Sequence, residues 1–347
     1  MNKMLAVCTT IDGTPELRQV DVPKIRPEEM LVKVIAAAQN PAEWVVAEWR
    51  KGKETAIIGC DFAGIVTQVG EAVTDFKIGE RVAGMVHGCK ELNGTYAEYV
   101  AALPYMTFKI PSSWSLEDAS QLGVACYTAC QCLYQSQDLP LPEHPTSEPF
   151  DILIWGAGSS VGHFTVQLAK LGGMRVIATA STKHFDRLKA LGIDELFDYH
   201  DPDVNEKIKA CTNGNLHHAV DCIANETTPK LISNALSTEG GTVSVVRDVE
   251  SVRDEVKHVF SLAYELTERP FDFPWDYIPK PGMAAFARKC SEMISKLLNE
   301  GKLVPAPLKI YPNGFASVSE GFTYMKSGLV SGEKIVYRVE DTPGLQN

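Results

Sequence analysis

The chain has no Cys-x-x-Cys pair, no excess of positive charge, no internal repeat and no low-complexity tract. Nor does it have an apolar run near the roughly 20 residues of a membrane span. Each absence removes a class of protein. Nine cysteines, at 8, 60, 89, 126, 130, 132, 211, 222 and 290, are an odd and unpaired set. They argue against a disulfide framework or a zinc ribbon, and for a reduced, cytoplasmic protein in which each thiol is a small buried hydrophobe. Thirty-three Lys and Arg against 44 Asp and Glu leave a formal charge of -11. That balance argues against a nucleic-acid backbone or an anionic membrane surface as the main partner. A local cluster of donors can still hold an anionic cofactor. Met1 to Thr10 reads as a short strand, so no cleavable signal is expected there.

What is present is an ordinary globular balance, 45% hydrophobic and 22% charged, over 347 residues, enough for two domains. Residues 1 to about 122 are rich in β-branched runs ended by turn residues: Leu31–Ala36, Gly64–Gly70, Asp75–Val82 and the alternating Gly94–Val100. Asp138 to Pro149 carries four prolines and reads as a loop. Then the texture changes. Asp151–Trp155, Arg175–Ala180, Glu195–Tyr199, Ala219–Ile223 and Gly241–Val246 are short strands. Between the first two lies a helix with Val161, Phe164, Leu168 and Leu171 on one face, and Phe185–Leu191 is a second helix. Such alternation predicts an α/β fold with a doubly wound parallel sheet. Residues 247–282 interrupt it as an insertion that ends in Pro270, Phe271, Phe273, Pro274, Trp275, Tyr277, Pro279 and Pro281, either a wall of a substrate pocket or a packed surface excursion. Residues 284–299 form an amphipathic helix stopped by Gly301.

The strongest local signal is Gly156-Ala157-Gly158-Ser159-Ser160-Val161-Gly162, placed after a strand and opening a helix. Glycine lets the chain turn tightly and lets backbone N–H groups approach a pyrophosphate, which the positive end of the helix then favours. The spacing is G-x-G-x-x-x-G. Enzymes that use NAD place an acidic residue at the end of the second strand. Here that strand ends Ala180-Ser181-Thr182-Lys183-His184, with no carboxylate before Asp186. Hydroxyls and a lysine suit a 2′-phosphate, so NADPH is the expected cofactor. Ser181 or Thr182 could also cap the next helix, which is compatible with that role.

Further stretches carry a family resemblance over nearly the whole chain. They are Gln39-Asn40-Pro41-Ala42-Glu43-Trp44, Gly59-Cys60-Asp61-Phe62-Ala63-Gly64, Gly79-Glu80-Arg81-Val82, Gly301–Pro305 and Ser331-Gly332-Glu333-Lys334-Ile335-Val336. Together they resemble the medium-chain dehydrogenase/reductases. The resemblance implies a GroES-like β-rich domain (1–122 and 285–347) around an inserted Rossmann domain (123–284). Zinc-dependent members carry an early cysteine, a Gly-His-Glu signature and clustered structural cysteines. This chain has Asn40 to Glu43, Gly59-Cys60-Asp61 and only Cys89 between residues 84 and 100. A catalytic zinc needs about three protein ligands, and no metal is expected.

Within the zinc-free members the chain is most similar to fungal trans-acting enoyl reductases that partner polyketide synthases, on Gly-Cys-Asp-Phe-Ala-Gly, the Ser181–Asp186 run and the aromatic segment after Val246. That resemblance implies that Ser181, Thr182, Lys183, His184 and Tyr199 surround the adenosine 2′-phosphate. Gly158, Ser159, Ser160 and Val161 would meet the pyrophosphate, and Asn40, Pro41, Ala42 and Glu43 would flank the nicotinamide. Ile223, Val246, Arg247, Ser331 and Gly332 would complete the cofactor contacts. Gly123, Val124, Ala125, Cys126, Tyr127, Thr128, Ala129 and Cys130 would line the substrate site. Relatives often follow the Asn-Pro-x-Asp-Trp signature with a carbonyl-polarising lysine; here Trp44 is followed by Val45. Thr128 is then the expected donor to the carbonyl of an α,β-unsaturated thioester, free or on a carrier protein. A quinone reductase, a reductase of free enones or aldehydes, and a non-catalytic NADPH-binding module remain the other readings.

Overall fold

The computed structural model describes residues 3–53, 55–272 and 275–345. The chain divides into two compact units, Met1–Val124 with Tyr264–Asn347, and Ala125–Ala263.

In the first unit, β1 (Lys3–Thr9) and β2 (Pro15–Asp21) form an antiparallel pair. A larger sheet is built on β3 (Met30–Ala38), β4 (Asp61–Val69), β5 (Arg81–Met85), β6 (Tyr99–Ala102) and β7 (Thr107–Lys109). Between β3 and β4 lies helix α1 (Pro41–Trp49). Its start is fixed locally: Pro41 supplies the first helical φ, and the Glu43 carboxylate accepts the Asn40 N–H at 2.7 Å. Short α2 (Leu116–Ala119), capped by Ser115, precedes α3 (Gly123–Cys130), whose first turn ends this unit's N-terminal part.

The second unit follows the rhythm of the sequence. Strands β8 (Asp151–Trp155), β9 (Arg175–Ala180), β10 (Glu195–Asp198), β11 (His218–Asp221), β12 (Gly241–Val245) and β13 (Val256–Phe260) make one parallel sheet. Their order is β10-β9-β8-β11-β12-β13, so the direction of winding reverses between β8 and β11. Helices α4 (Ser160–Leu171), α5 (Phe185–Lys189), α6 (Val204–Cys211) and α7 (Thr228–Ala235) connect the strands. Leu153, Ile177, Ala219, Val243 and Val245 are buried, as continuous apolar runs covered on both faces require. Burying each of the Leu, Ile and Val side chains among them contributes roughly 1.5–3 kcal/mol.

The chain then returns to the first unit through α8 (Met283–Asn299), β14 (Leu308–Tyr311), α9 (Val318–Lys326) and β15 (Lys334–Arg338). Strand β15 pairs antiparallel with β3, and β14 pairs parallel with β15. Its core is Val34, Phe62, Val82, Tyr96, Phe315 and Tyr337, all buried. No helix among the described residues is long and apolar enough to cross a membrane.

Three expectations are corrected. The expected boundary at 284/285 falls at 263/264, and that at 122/123 falls at 124/125. The physical reason is that the aromatic segment packs on the first unit. Tyr264 stacks on His87 with ring centroids 3.9 Å apart, Phe271 meets the same ring edge-on at 5.2 Å, and Phe271 stacks on Tyr277 at 4.5 Å. Arg269 binds Glu29 at 2.8 Å, and the Tyr105 hydroxyl donates to the Thr267 carbonyl. Second, the insertion expected over 247–282 contains β13, which is a strand of the parallel sheet. Third, Asp75–Val82 is mostly irregular, with β5 beginning only at Arg81, and β6 begins at Tyr99, late in the run Gly94–Val100. Phe273 and Pro274 lie outside the described residues.

Phe271→Ala should therefore destabilise the first unit by about 3 kcal/mol. Hydrogen exchange read by mass spectrometry is expected to speed up in residues 264–284 and around His87, and to leave β8–β13 as protected as in the parent chain.

Candidate active site

In the second unit the glycine turn is shaped by sterics at its two ends. Gly156 has φ +83°, and a Cβ there would lie 2.6 Å from Ile223 Cγ1. A Cβ on Gly162 would lie 2.3 Å from the Gly156 carbonyl oxygen. Gly158 is different: a Cβ would meet nothing nearer than His184 Cδ2, at 3.7 Å. Its lack of a side chain leaves room over the turn. Ser159 caps α4, accepting the Gly162 N–H at 3.0 Å and donating to the Gly156 carbonyl at 2.8 Å. Ser160 and Val161 are the first two residues of α4, whose N–H groups have no acceptor within the helix. The turn thus offers an open backbone at a positive helix end, which fits a dinucleotide pyrophosphate.

At the end of β9, Ser181 takes the capping position of a short 3₁₀ turn (Thr182–His184), yet its side chain makes no capping bond. Thr182 and Lys183 are exposed. Tyr199 is 44% exposed just beyond β10, and its ring lies against His200 with centroids 4.0 Å apart. These groups are available for a phosphate, and no carboxylate of the segment Ser181–Phe185 opposes one. Ile223 stands over Gly156, held by the buried Asp221 carboxylate, which accepts the N–H groups of Ile223 and Ala224 at 3.0 and 2.8 Å. Val246 is half-buried and Arg247 exposed, both just beyond β12.

In the first unit, Asn40, Glu43 and Asp61 are buried together with a residue that the sequence reading missed, Lys334. The Lys334 ammonium is 2.6 Å from Asn40 Oδ1 and 3.1 Å from Asp61 Oδ2. The Asn40 amide donates to Asp61 Oδ2 at 2.8 Å. Asp61 Oδ1 accepts the Val124 N–H at 2.7 Å. Glu43 accepts from the Asn40 N–H and, at 3.1 Å, from the Cys60 N–H. Lys334 stands in the Ser331–Val336 motif quoted above, and only its position three residues after Ser331 could have drawn attention to it. Ser331 and Gly332 are half-buried, with φ +66° at Gly332. In α3, Ala125, Cys126, Tyr127, Ala129 and Cys130 are buried; Thr128 is 5% exposed.

The donors at the former metal position do not fit zinc. A thiolate ligand must lose its proton. Burial, and then the neighbouring Glu43, push the Cys60 thiol well above its usual range, and its sulfur is 3.2 Å from the Tyr264 hydroxyl. Asp61 already holds Lys334, Asn40 and Val124. His87 is stacked on Tyr264, and burial pushes its pKa down to about 3. Lys53, near Val45 in sequence, lies over the Trp49 ring at 3.0 Å and pairs with Asp272 at 3.5 Å.

Burial pushes Glu43 up to about 7 from an ordinary 4.5, aided by Asp61 and opposed by Lys334. Burial likewise raises Asp61, against the pull of Lys334. A raised carboxyl pKa means that the folded state binds more protons than the unfolded one, so stability falls as pH rises from about 4.5 through 7. Below that window Glu43 is protonated in both states and carries no cost. Glu43→Gln removes the titration and loses one hydrogen bond, to the Asn40 N–H. It should be less stable than the parent chain at pH 5, and the gap should shrink by on the order of 3 kcal/mol by pH 8. Urea unfolding across that range is the measurement.

Comparison with known proteins agrees with this architecture. Residues 26–112 match the alcohol dehydrogenase GroES-like domain family, and residues 160–260 the zinc-binding dehydrogenase family. The trans-enoyl reductase ACTTS2 of Alternaria alternata is 34% identical over 341 residues, covering 96% of this chain and 98% of that protein. The trans-enoyl reductase RAP2 of Pyricularia oryzae is 34% identical over 93% of this chain and 94% of its own length. Among solved structures, the CurK enoyl reductase superposes with a TM-score of 0.77 at 20% identity, over 97% of this chain and 98% of its own; this likeness is one of fold. The chain is an oxidoreductase of the medium-chain dehydrogenase/reductase superfamily and belongs to its fungal trans-enoyl reductase family.

Proposed function

We propose that this protein uses NADPH to reduce the C=C bond of an α,β-unsaturated acyl thioester carried by a separate polyketide synthase. The observation that carries the cofactor choice is the end of β9, where Ser181, Thr182 and Lys183 present hydroxyls and an ammonium and no carboxylate stands before Asp186. The substrate class rests on the full-length likeness to trans-enoyl reductases.

A bound nicotinamide dinucleotide would supply the hydride that adds to the β-carbon. The chain's own residues supply binding and orientation. The N–H groups of Ser160 and Val161, with the open backbone at Gly158, hold the pyrophosphate; Ser181, Lys183 and Tyr199 hold the 2′-phosphate. Asn40 to Glu43 flank the nicotinamide. As the β-carbon accepts hydride, negative charge grows on the thioester carbonyl oxygen. Thr128 donates a hydrogen bond to that oxygen, a fixed donor in a water-poor setting, where such bonds count most. The α-carbon then takes a proton from water, leaving hydroxide, and the product is the saturated thioester. Since hydride transfer belongs to the cofactor, the site needs no strong acid of its own.

Two outcomes are expected. In stopped-flow NADPH oxidation, an α,β-unsaturated acyl-pantetheine should turn over in preference to a quinone or a simple aldehyde, and Thr128→Ala should lower kcat about 100-fold. Turnover of the quinone alone would replace the thioester reading with a quinone reductase. Lys183→Ala should weaken NADPH about tenfold, or about 1.4 kcal/mol, and leave NADH binding unchanged, read by cofactor fluorescence titration.

A further inference from the structure

The ionisable groups around Lys334 do more than cancel one another. A buried ion pair is weak evidence for stability, because desolvation offsets most of the attraction. What distinguishes this one is what it is fastened to. Lys334 is 2% exposed, on β15, and is bound to Asn40 Oδ1 and Asp61 Oδ2. Asn40 is the residue from which α1 starts, and its amide also reaches Asp61 Oδ2. The other Asp61 oxygen accepts the N–H of Val124, in the first turn of α3. Gly123 makes this approach possible: a Cβ there would lie 2.4 Å from Asp61 Oδ1 and 2.5 Å from the Gly84 carbonyl oxygen. One ammonium thus ties β15 to the starts of α1, β4 and α3.

We propose that Lys334 is a positioning residue for the reduction. Through Asp61 it fixes the first turn of α3, one helical turn before Thr128, and through Asn40 it fixes the residues Asn40 to Glu43. This rests on the roles assigned above to Thr128 and to Asn40–Glu43. Lys334 acts through Asp61 and Asn40, to which its ammonium is bound. Its ammonium orients the Asp61 carboxylate, so that one oxygen points at Val124 while the other is shared with the Asn40 amide. Hydride transfer is sensitive to misplacement of the reacting groups by about 1 Å, which is where a loosened α3 or α1 start would be felt.

The test removes both charges at once, with Lys334→Met combined with Asp61→Asn, so that no unpaired charge is left buried. The expected result is a protein that melts close to the parent chain and binds NADPH with full stoichiometry, yet has kcat at least tenfold lower and Val124 N–H exchange at least tenfold faster, with KM for NADPH changed less than threefold. A double variant with parental kcat and parental Val124 exchange overturns the proposal and leaves Lys334 as a charge partner only. Should the double variant not fold, Lys334→Met alone decides by the same two readouts, since burial already raises the Asp61 carboxyl and a protonated Asp61 leaves no unpaired charge. If the parent chain does not reduce the thioester, the proposed function fails, while Val124 exchange still reads the positioning role.

Discussion

The buried contact between Asp61 and Lys334 is the constraint on which the rest of the first unit depends. Asp61 opens β4, a central strand, and is completely inaccessible. A carboxylate in such a place demands partners, since an isolated buried charge costs several kcal/mol. Here the demand is met by residues 21, 63 and 273 positions away in sequence. The same demand forbids a side chain at Gly123 and draws Asn40 inward, so the fold's answer to one electrostatic problem also sets the geometry of the candidate site.

The second unit was largely legible in the sequence because its information is local. Asp151–Trp155, the glycine turn and the helix with Phe164 and Leu168 on one face are each specified within about 20 residues. Strand β13 was hidden for a physical reason. It is an edge strand, buried fully only at Val256, and it follows a charged stretch, so it lacks the continuous apolar run of its neighbours. The boundary near 264 was misjudged for a related reason. Tyr264, Phe271 and Tyr277 have no periodicity, and His87, the partner of the first two, lies some 180 residues earlier. An aromatic segment shows in the sequence that it packs, and not against what.

The same contrast divides the candidate site. Ser181, Lys183 and Gly158 could be named from their place after a strand, and the structure leaves them accessible or open. The network of Asn40, Glu43, Asp61 and Lys334 could not be assembled that way. Its members were visible singly, as parts of motifs, but Asn40 and Lys334 are 294 residues apart. Only pairing β15 with β3 brings them together, with Val336 opposite Ala38. The role of Asp61 as the acceptor for the start of α3 depends on a strand and a helix that sequence spacing does not relate.

Relatives that bind zinc polarise a carbonyl with a metal charge. This chain has a thiol and a carboxylate at the corresponding motif, and both are sealed: Cys60 against Tyr264, Asp61 against Lys334. A site without a metal must stabilise developing negative charge by fixed dipoles, and fixed dipoles work only when they do not reorganise as the charge appears. Two carboxylates beside one ammonium serve that end when one of them carries a proton, which the raised Glu43 allows near neutral pH. The cluster then carries little net charge, while its hydrogen bonds remain in place. In this chain the buried charge instead binds side chains and the backbone N–H of Val124.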